Sequence, residues 1–189
     1  MVNFRESLNR FYKLGDEDWE KFASVWKEEK IKKGVILTRR GEVEQNMYFV
    51  FEGVLRGFYK DEKTDFTGGF SYEGDLSGIP DSFLTQTPSM YFLETLTPCR
   101  VLKTKYQYIK SLYDSSQVFE RFGRIMAEKM MLGLSARHIE LQCFTAEERF
   151  RIFMNRSPHL LQKIPQKYLA SYLNMAPETF SRLIRNTKL

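Results

Sequence analysis

Hydrophobic positions change their spacing twice along the chain. Over residues 3–29 they recur every three or four positions, as Phe4, Leu8, Phe11 and Tyr12 and then as Trp19, Phe22 and Trp26, the mark of amphipathic helix. Gly15-Asp16 divides the stretch in two, with Asp16 the expected N-cap of the second helix. From residue 29 to about 105 short apolar runs alternate with turn residues such as Lys33-Gly34, Arg40-Gly41, Glu52-Gly53, Glu73-Gly74-Asp75 and Thr97-Pro98. Residues 35–37, 47–51, 54–59 and 100–102 read as strands between them. Short strands with a turn about every ten residues predict a small barrel or sandwich.

Helical spacing returns near Tyr106 and dominates from Ser115. Val118, Phe122, Ile125, Lys129, Leu132, Ala136, Ile139 and Cys143 then alternate at four and three, a heptad seam. A helix continued to Gln142 would be about 40 Å long. So long a helix shows more apolar face than one small barrel can cover, which favours pairing with a second copy of the chain over a helix laid along its own barrel. Thr145-Ala146-Glu147-Glu148 matches a capping box and starts a new helix that Ser157-Pro158 should stop near Arg156. The junction at 143–145 is the candidate hinge.

Residues 164–186 carry the functional signal. A short helix with Leu169, Ala170 and Leu173 inward is followed by Asn174, a residue that tolerates a left-handed turn. Pro177 then suits the first turn of a second helix, whose buried face is Phe180, Leu183 and Ile184. Two helices joined by so short a turn make a helix-turn-helix, with Ala170 where they would touch. On the second helix Glu178, Thr179, Ser181, Arg182 and Arg185 face outward. Arg182 and Glu178 suit base edges, while Thr179, Ser181, Gln166 and Lys167 suit phosphates.

Charge supports this placement. The net charge is +5. Residues 145–189 hold eight Lys/Arg (Arg149, Arg151, Arg156, Lys163, Lys167, Arg182, Arg185, Lys188) and three acids, so the whole excess lies there while residues 1–144 balance. A basic block beside a neutral body is the footprint of a polyanion binder.

At these residues the chain resembles the Crp/Fnr family of bacterial regulators along nearly its whole length. Ala176-Pro177-Glu178-Thr179-Phe180-Ser181-Arg182-Leu183 is similar to that family's recognition helix, with Glu178 and Arg182 at its base-contacting positions. Pro177 replaces a frequent Arg, and Ala176 the usual Ser/Thr cap. Lys33-Gly34, Arg40-Gly41-Glu42, 48–53 and Gly74-Asp75 follow the family's order in the barrel. The phosphate-binding cassette departs from it: Ile79 stands at the Glu position and Ser89 at the Arg position, and no other cation replaces them in that loop. Burying a cyclic phosphate without a cation is costly, so cyclic AMP is not expected to bind tightly. Phe49, Phe70, Tyr72 and Phe92, with Ile79 and Ser89, are the candidate lining of a ligand pocket inside the barrel, the alternative being a filled core. The segment from Ser157 to Pro165 is short, so any wing hairpin should be abbreviated.

The expected fold is therefore α+β: a cyclic-nucleotide-binding-like barrel (jelly roll) with flanking helices over residues 1–114, a dimerisation helix and hinge over 115–144, and a helix-turn-helix unit over 145–189. The dimer seam is expected at Val118, Phe122, Ile125, Leu132, Ala136 and Ile139. The expected partners are double-stranded DNA, a second copy forming a homodimer, and RNA polymerase, with an effector of unknown identity. No cofactor is expected. Cys99 and Cys143 lie far apart, and His138 and His159 are scattered, which argues against disulfide, zinc or iron–sulfur sites. No run approaches the length of a membrane span and the N-terminus lacks a signal peptide's apolar stretch, so a cytoplasmic location is expected. An enzyme is not expected, since no nucleophile–base pair or phosphate-cradling glycine loop is evident.

Overall fold

Two short helices open the chain: α1 (Phe4–Asn9), capped by the Asn3 side chain, and α2 (Asp16–Ser24). The N-cap of α2 is Gly15, and Asp16 is its first helical residue, bonded to Arg5. The helix also ends earlier than its apolar spacing suggests, because β1 (Lys27–Ile31) begins directly after the buried Trp26. That strand reads Lys-Glu-Glu-Lys-Ile and has no apolar alternation. Its ladder with a partner strand, and not its own pattern, makes it β. These elements belong to a computed structural model that describes residues 3–186; Lys188 lies outside the described residues.

Among the described residues eight strands form two antiparallel sheets. β1 pairs with β8 (Cys99–Lys105), which pairs with β3 (Asn46–Glu52), which pairs with β6 (Leu76–Ser77). In the second sheet the order is β2 (Ile36–Thr38), β7 (Phe92–Thr95), β4 (Leu55–Lys60) and β5 (Asp65–Ser71), so β5 is an edge strand. Between the sheets lie Ile31, Leu37, Tyr48, Val50, Leu55, Ile79, Leu93, Cys99 and Val101. The β3–β4 turn needs glycine: Gly53 has φ +98°, and a Cβ there would sit 2.5 Å from the Pro98 carbonyl oxygen and 2.7 Å from Cys99 Sγ.

The other face of β3 is also apolar. Phe49 packs outward onto Phe4 with ring centroids 4.7 Å apart, in a cluster with Phe22, Trp26, Ile109, Phe119 and Phe122. That cluster roots the helices that follow the barrel, α4 (Tyr106–Ser115) and the 27-residue α5 (Gln117–Cys143), on the outside of the first sheet. Gly123 lets them cross closely, since a Cβ there would lie 2.6 Å from the Tyr113 ring. The seam expected on α5 is accordingly split. Phe122 is buried against Phe22 and does not face outward, whereas Val118 packs on the same cluster and stays half-buried. Ile125 is half-buried, whereas Leu132, Ala136 and Ile139 are exposed together with Met131 and Leu134.

The C-terminal helices are α6 (Ala146–Arg156), α7 (Leu160–Lys163), α8 (Gln166–Tyr172) and α9 (Pro177–Asn186). The capping box forms in full between Thr145 and Glu148, and the bonds from Thr145 hold the Glu148 carboxyl below its ordinary pKa. Between Ser157 and Pro165 the chain makes the single turn of α7 in place of a wing hairpin. Among the described residues no helix is long and apolar enough to cross a membrane.

Candidate nucleic-acid interface

The last two helices owe their geometry to a few small or special residues. Ala170 is 1% exposed where α8 meets α9, and a larger side chain would push the pair apart. Asn174 takes the left-handed conformation, φ 51°, at the turn between them. The Met175 N–H donates to the Ala170 carbonyl at 3.0 Å, closing the end of α8. Arg149 of α6 then locks the turn from below: its Nε donates to the Leu173 carbonyl at 2.8 Å and Nη2 to the Asn174 carbonyl at 3.0 Å. Phe180 is fully buried beneath α9 and meets Phe150 edge-on at 5.6 Å.

With that face buried, Glu178, Arg182 and Arg185 share the opposite, exposed stripe at spacings of four and three. Thr179 and Ser181 flank it, half-buried. Gln166 and Lys167 are exposed in the first turn of α8, and Lys167 Nζ lies 4.8 Å from the centre of the Tyr168 ring. Among the described residues, three basic residues of the C-terminal block make contacts within the protein itself. Arg149 pins the turn, Arg156 donates to the Tyr172 hydroxyl at 2.9 Å, and Lys163 pairs with Glu73 at 2.7 Å. The cationic stripe is thus narrower than the charge count implies, and it is concentrated on α9.

The first helix of the pair docks on the barrel. Ser171 Oγ accepts from the Thr67 N–H at 2.9 Å and donates to the Asp65 carbonyl at 3.0 Å, satisfying two ladder groups of the edge strand β5. Beside it Arg56, 1% exposed, lies between the Phe58 and Tyr168 rings, at 4.2 and 3.8 Å from their centres. Its guanidinium donates to Thr67 Oγ1 at 2.8 Å, to Glu94 at 3.0 Å and to Asp65. Phe70 meets Tyr172 at 5.3 Å, and the Tyr72 and Ser157 hydroxyls are 2.6 Å apart. From the second half of α5 Arg137 donates to the Tyr172 carbonyl and lies over its ring.

This docking corrects the aromatic pocket expected inside the barrel. Phe70 and Tyr72 face the C-terminal helices, Phe49 faces α1, and Phe92 stacks on Phe58 on the side of β7 opposite Leu93. Of the candidate lining only Ile79 enters the interior, where it is part of the packed core. Ser89 is buried with its hydroxyl already engaged, donating to the Tyr91 carbonyl at 2.9 Å and accepting from the Tyr91 N–H at 2.9 Å. Period-two alternation separates Phe49 from Tyr48 and Val50, but both faces of that strand are apolar, so the pattern alone could not say which face was inside.

Ile79 leads into a short helix, α3 (Pro80–Thr85), held by Glu44. The Glu44 carboxylate accepts from Thr38 Oγ1 at 2.7 Å and the Asn46 N–H at 3.0 Å, while its own N–H donates to Ser82 Oγ at 2.9 Å. Burial raises the Glu44 pKa above 4.5 despite these bonds. The folded protein therefore keeps a proton that the unfolded chain has already released. This contribution to stability is fully present below about pH 4.5 and is lost as pH rises through the raised value. Glu44→Gln, which cannot ionise, is expected to flatten that decline, read as a smaller difference between denaturation midpoints at about pH 5 and about pH 8.

The chain matches no protein-family model and no curated protein sequence. Solved structures do match it. FixK2 from Bradyrhizobium japonicum superposes with a TM-score of 0.73 at 18% identity, over 85% of this chain and 83% of that one. A protein assigned to the crp/fnr family of transcriptional regulators, from Eubacterium rectale, gives 0.65 at 14% identity, over 91% and 82%. The chain has the Crp/Fnr fold. The c-di-GMP-responsive global regulator CLP of Xanthomonas campestris shares it with a TM-score of 0.64 at 17% identity, over 90% of each chain. Within the Crp/Fnr fold, Arg56, Ser171 and Arg149 are the positioning residues that sequence reasoning missed. A lone Arg in the middle of an apolar strand was the one available signal, since a charge there must be paired.

Proposed function

We propose that the protein is a sequence-specific DNA-binding transcription regulator that acts in the cytoplasm as a homodimer on an inverted-repeat site. The observation that carries this reading is the exposed stripe of Glu178, Arg182 and Arg185 on α9, whose back is buried by Phe180 and whose turn is fixed by Arg149. A helix presented this way suits the major groove, with Arg182 reading guanine and Glu178 accepting from a cytosine amino group. The exposed apolar run on the second half of α5 supports pairing, and two-fold symmetry would set two such helices about 34 Å apart. Arg182→Ala is expected to weaken specific binding by about 1–3 kcal/mol with the fold intact. Footprinting on a site selected from random DNA checks this, and undiminished site discrimination in the variant would remove Arg182 from base reading.

A second reading, ligand control of DNA binding, is favoured by the direct seat of α8 on the barrel. For the barrel interior itself the support points away from cyclic AMP: Ile79 is packed in the core, Ser89 is locked by its own loop, and the Glu44 carboxyl lies against the entry to α3.

A further inference from the structure

Between the barrel and the C-terminal helices lies a half-open cleft of about 160 Å³. Its barrel side is Phe70, Tyr72 and Asp75, and its other side includes Phe153, Arg156, Ser157 and Tyr172. An apolar cavity of about 150 Å³ holds one benzene ring, so the space suits a single six-membered ring and not a nucleotide. The Phe70 and Tyr172 rings, inclined at 57°, give it aromatic walls.

The polar groups around it are of two kinds. Arg156 is the cationic one. Its nearest carboxylate, Glu140, is 3.8 Å away and is already held by Arg137 at 2.9 Å; Arg156 gives one N–H to the Tyr172 hydroxyl at 2.9 Å and keeps others for a ligand. The accepting group is Asp75, whose carboxyl takes the Tyr72 N–H at 3.0 Å on one oxygen and has acceptor capacity left for a ligand donor. The Tyr72 and Ser157 hydroxyls are 2.6 Å apart and use one of their two protons on each other. The other proton is available to an acceptor.

We propose that this cleft is a binding site for a benzoate-sized aromatic acid that carries a hydroxyl or amino group, and that its occupancy sets how firmly the helix-turn-helix sits on the barrel. Arg156 takes the ligand carboxylate, the ligand ring lies against the Phe70–Tyr172 pair, and Asp75 accepts from its hydroxyl or amine. A ligand held by residues of both parts binds the docked arrangement better than an undocked one, which is what an effector must do. The regulatory half rests on the proposed DNA-binding role; the binding half does not.

The test is calorimetry on the full chain with benzoate, 4-hydroxybenzoate, 2-aminobenzoate and cyclic AMP, without DNA. Expected is one site per chain for a substituted benzoate, weakened about ten- to hundredfold by Arg156→Gln. Asp75→Asn should narrow the gap between 4-hydroxybenzoate and benzoate. Ser89→Ala, in the barrel loop, should change neither. Arg156 is exposed, whereas Asp75 is largely enclosed and caps its turn, so a thermal melt of each ligand-free variant establishes folding before binding is compared. No heat with any of the three acids up to millimolar concentration overturns the assignment, as does binding that Arg156→Gln leaves unchanged or binding of cyclic AMP alone. Footprinting with and without the bound acid is a separate arm: acid binding without any DNA binding would sink the regulatory half and leave the cleft standing.

Discussion

Arg56→Ala is expected to destabilise the protein by about 3 kcal/mol, the low end of what breaking a buried ion pair costs. Arg56 is almost entirely enclosed, and its two acids differ: Glu94 is 15% exposed and would be stranded, while Asp65 is 43% exposed and can rehydrate, which keeps the figure from rising further. The loss is not confined to the barrel. The guanidinium is the layer between the Phe58 and Tyr168 rings, so its removal also empties the contact by which α8 is held. A fall in melting temperature of roughly 6–12 °C follows for a chain of this size. Amide exchange should accelerate at Thr67, whose N–H is bonded by Ser171 in that same contact. Arg56→Met, which keeps much of the stem's packing, separates the charge effect from the void. If exchange at Thr67 did not change in Arg56→Ala, the arginine would stabilise the sheet alone and have no part in seating α8.

The double variant Leu132→Asp/Ile139→Asp is expected to make the protein monomeric and to weaken operator binding roughly a hundredfold or more, because two linked recognition helices bind as one and a single helix does not. Leu132 and Ile139 are 60% and 49% exposed, so a charge at either costs the isolated chain little. Facing a symmetry mate, each pair of new carboxylates would be buried and mutually repelling. Sedimentation at micromolar concentration, with circular dichroism to show that α5 persists, decides the matter. A dimer that survives both substitutions would place the two-fold axis elsewhere on the surface.

How much of this was legible in the sequence depended on whether local chemistry alone fixed the outcome. The Thr145 capping box, Asn174 in the left-handed turn, Pro177 at the head of α9 and Ala170 at the helix crossing are all decided within a few residues, and each reads directly. The seam on α5 read only in part. Its heptad spacing is real, yet Val118 and Phe122 are claimed by the aromatic cluster under α1 and α2, a competition that periodicity does not register. β1 was hidden for the opposite reason: four charged residues on an edge position take their strand from β8. The aromatic pocket was misplaced because it was inferred from residue type. Phe70 and Tyr72 do their packing outside the second sheet, where the C-terminal helices cover them, and Phe92 stacks on Phe58; nothing near them in the chain announces that arrangement. Arg149 and Arg156 add to the basic count of the C-terminal block, yet Arg149 is turned to its own backbone and Arg156 to Tyr172 at the cleft, a distinction only tertiary structure makes.

The hydroxyl of Ser171 stands where a ninth strand would begin. Next to it Gly68 has no opposite residue in the ladder, at the bulge between Gly57 and Phe58, so the rim of the second sheet is already irregular at the place it is stoppered. Lifting the C-terminal helices away therefore does more than free them to turn: it strips a donor and an acceptor on a sheet margin and leaves a seat for any passing extended peptide. Any form with those helices lifted would present that margin bare, and in the folded chain Ser171 keeps it closed.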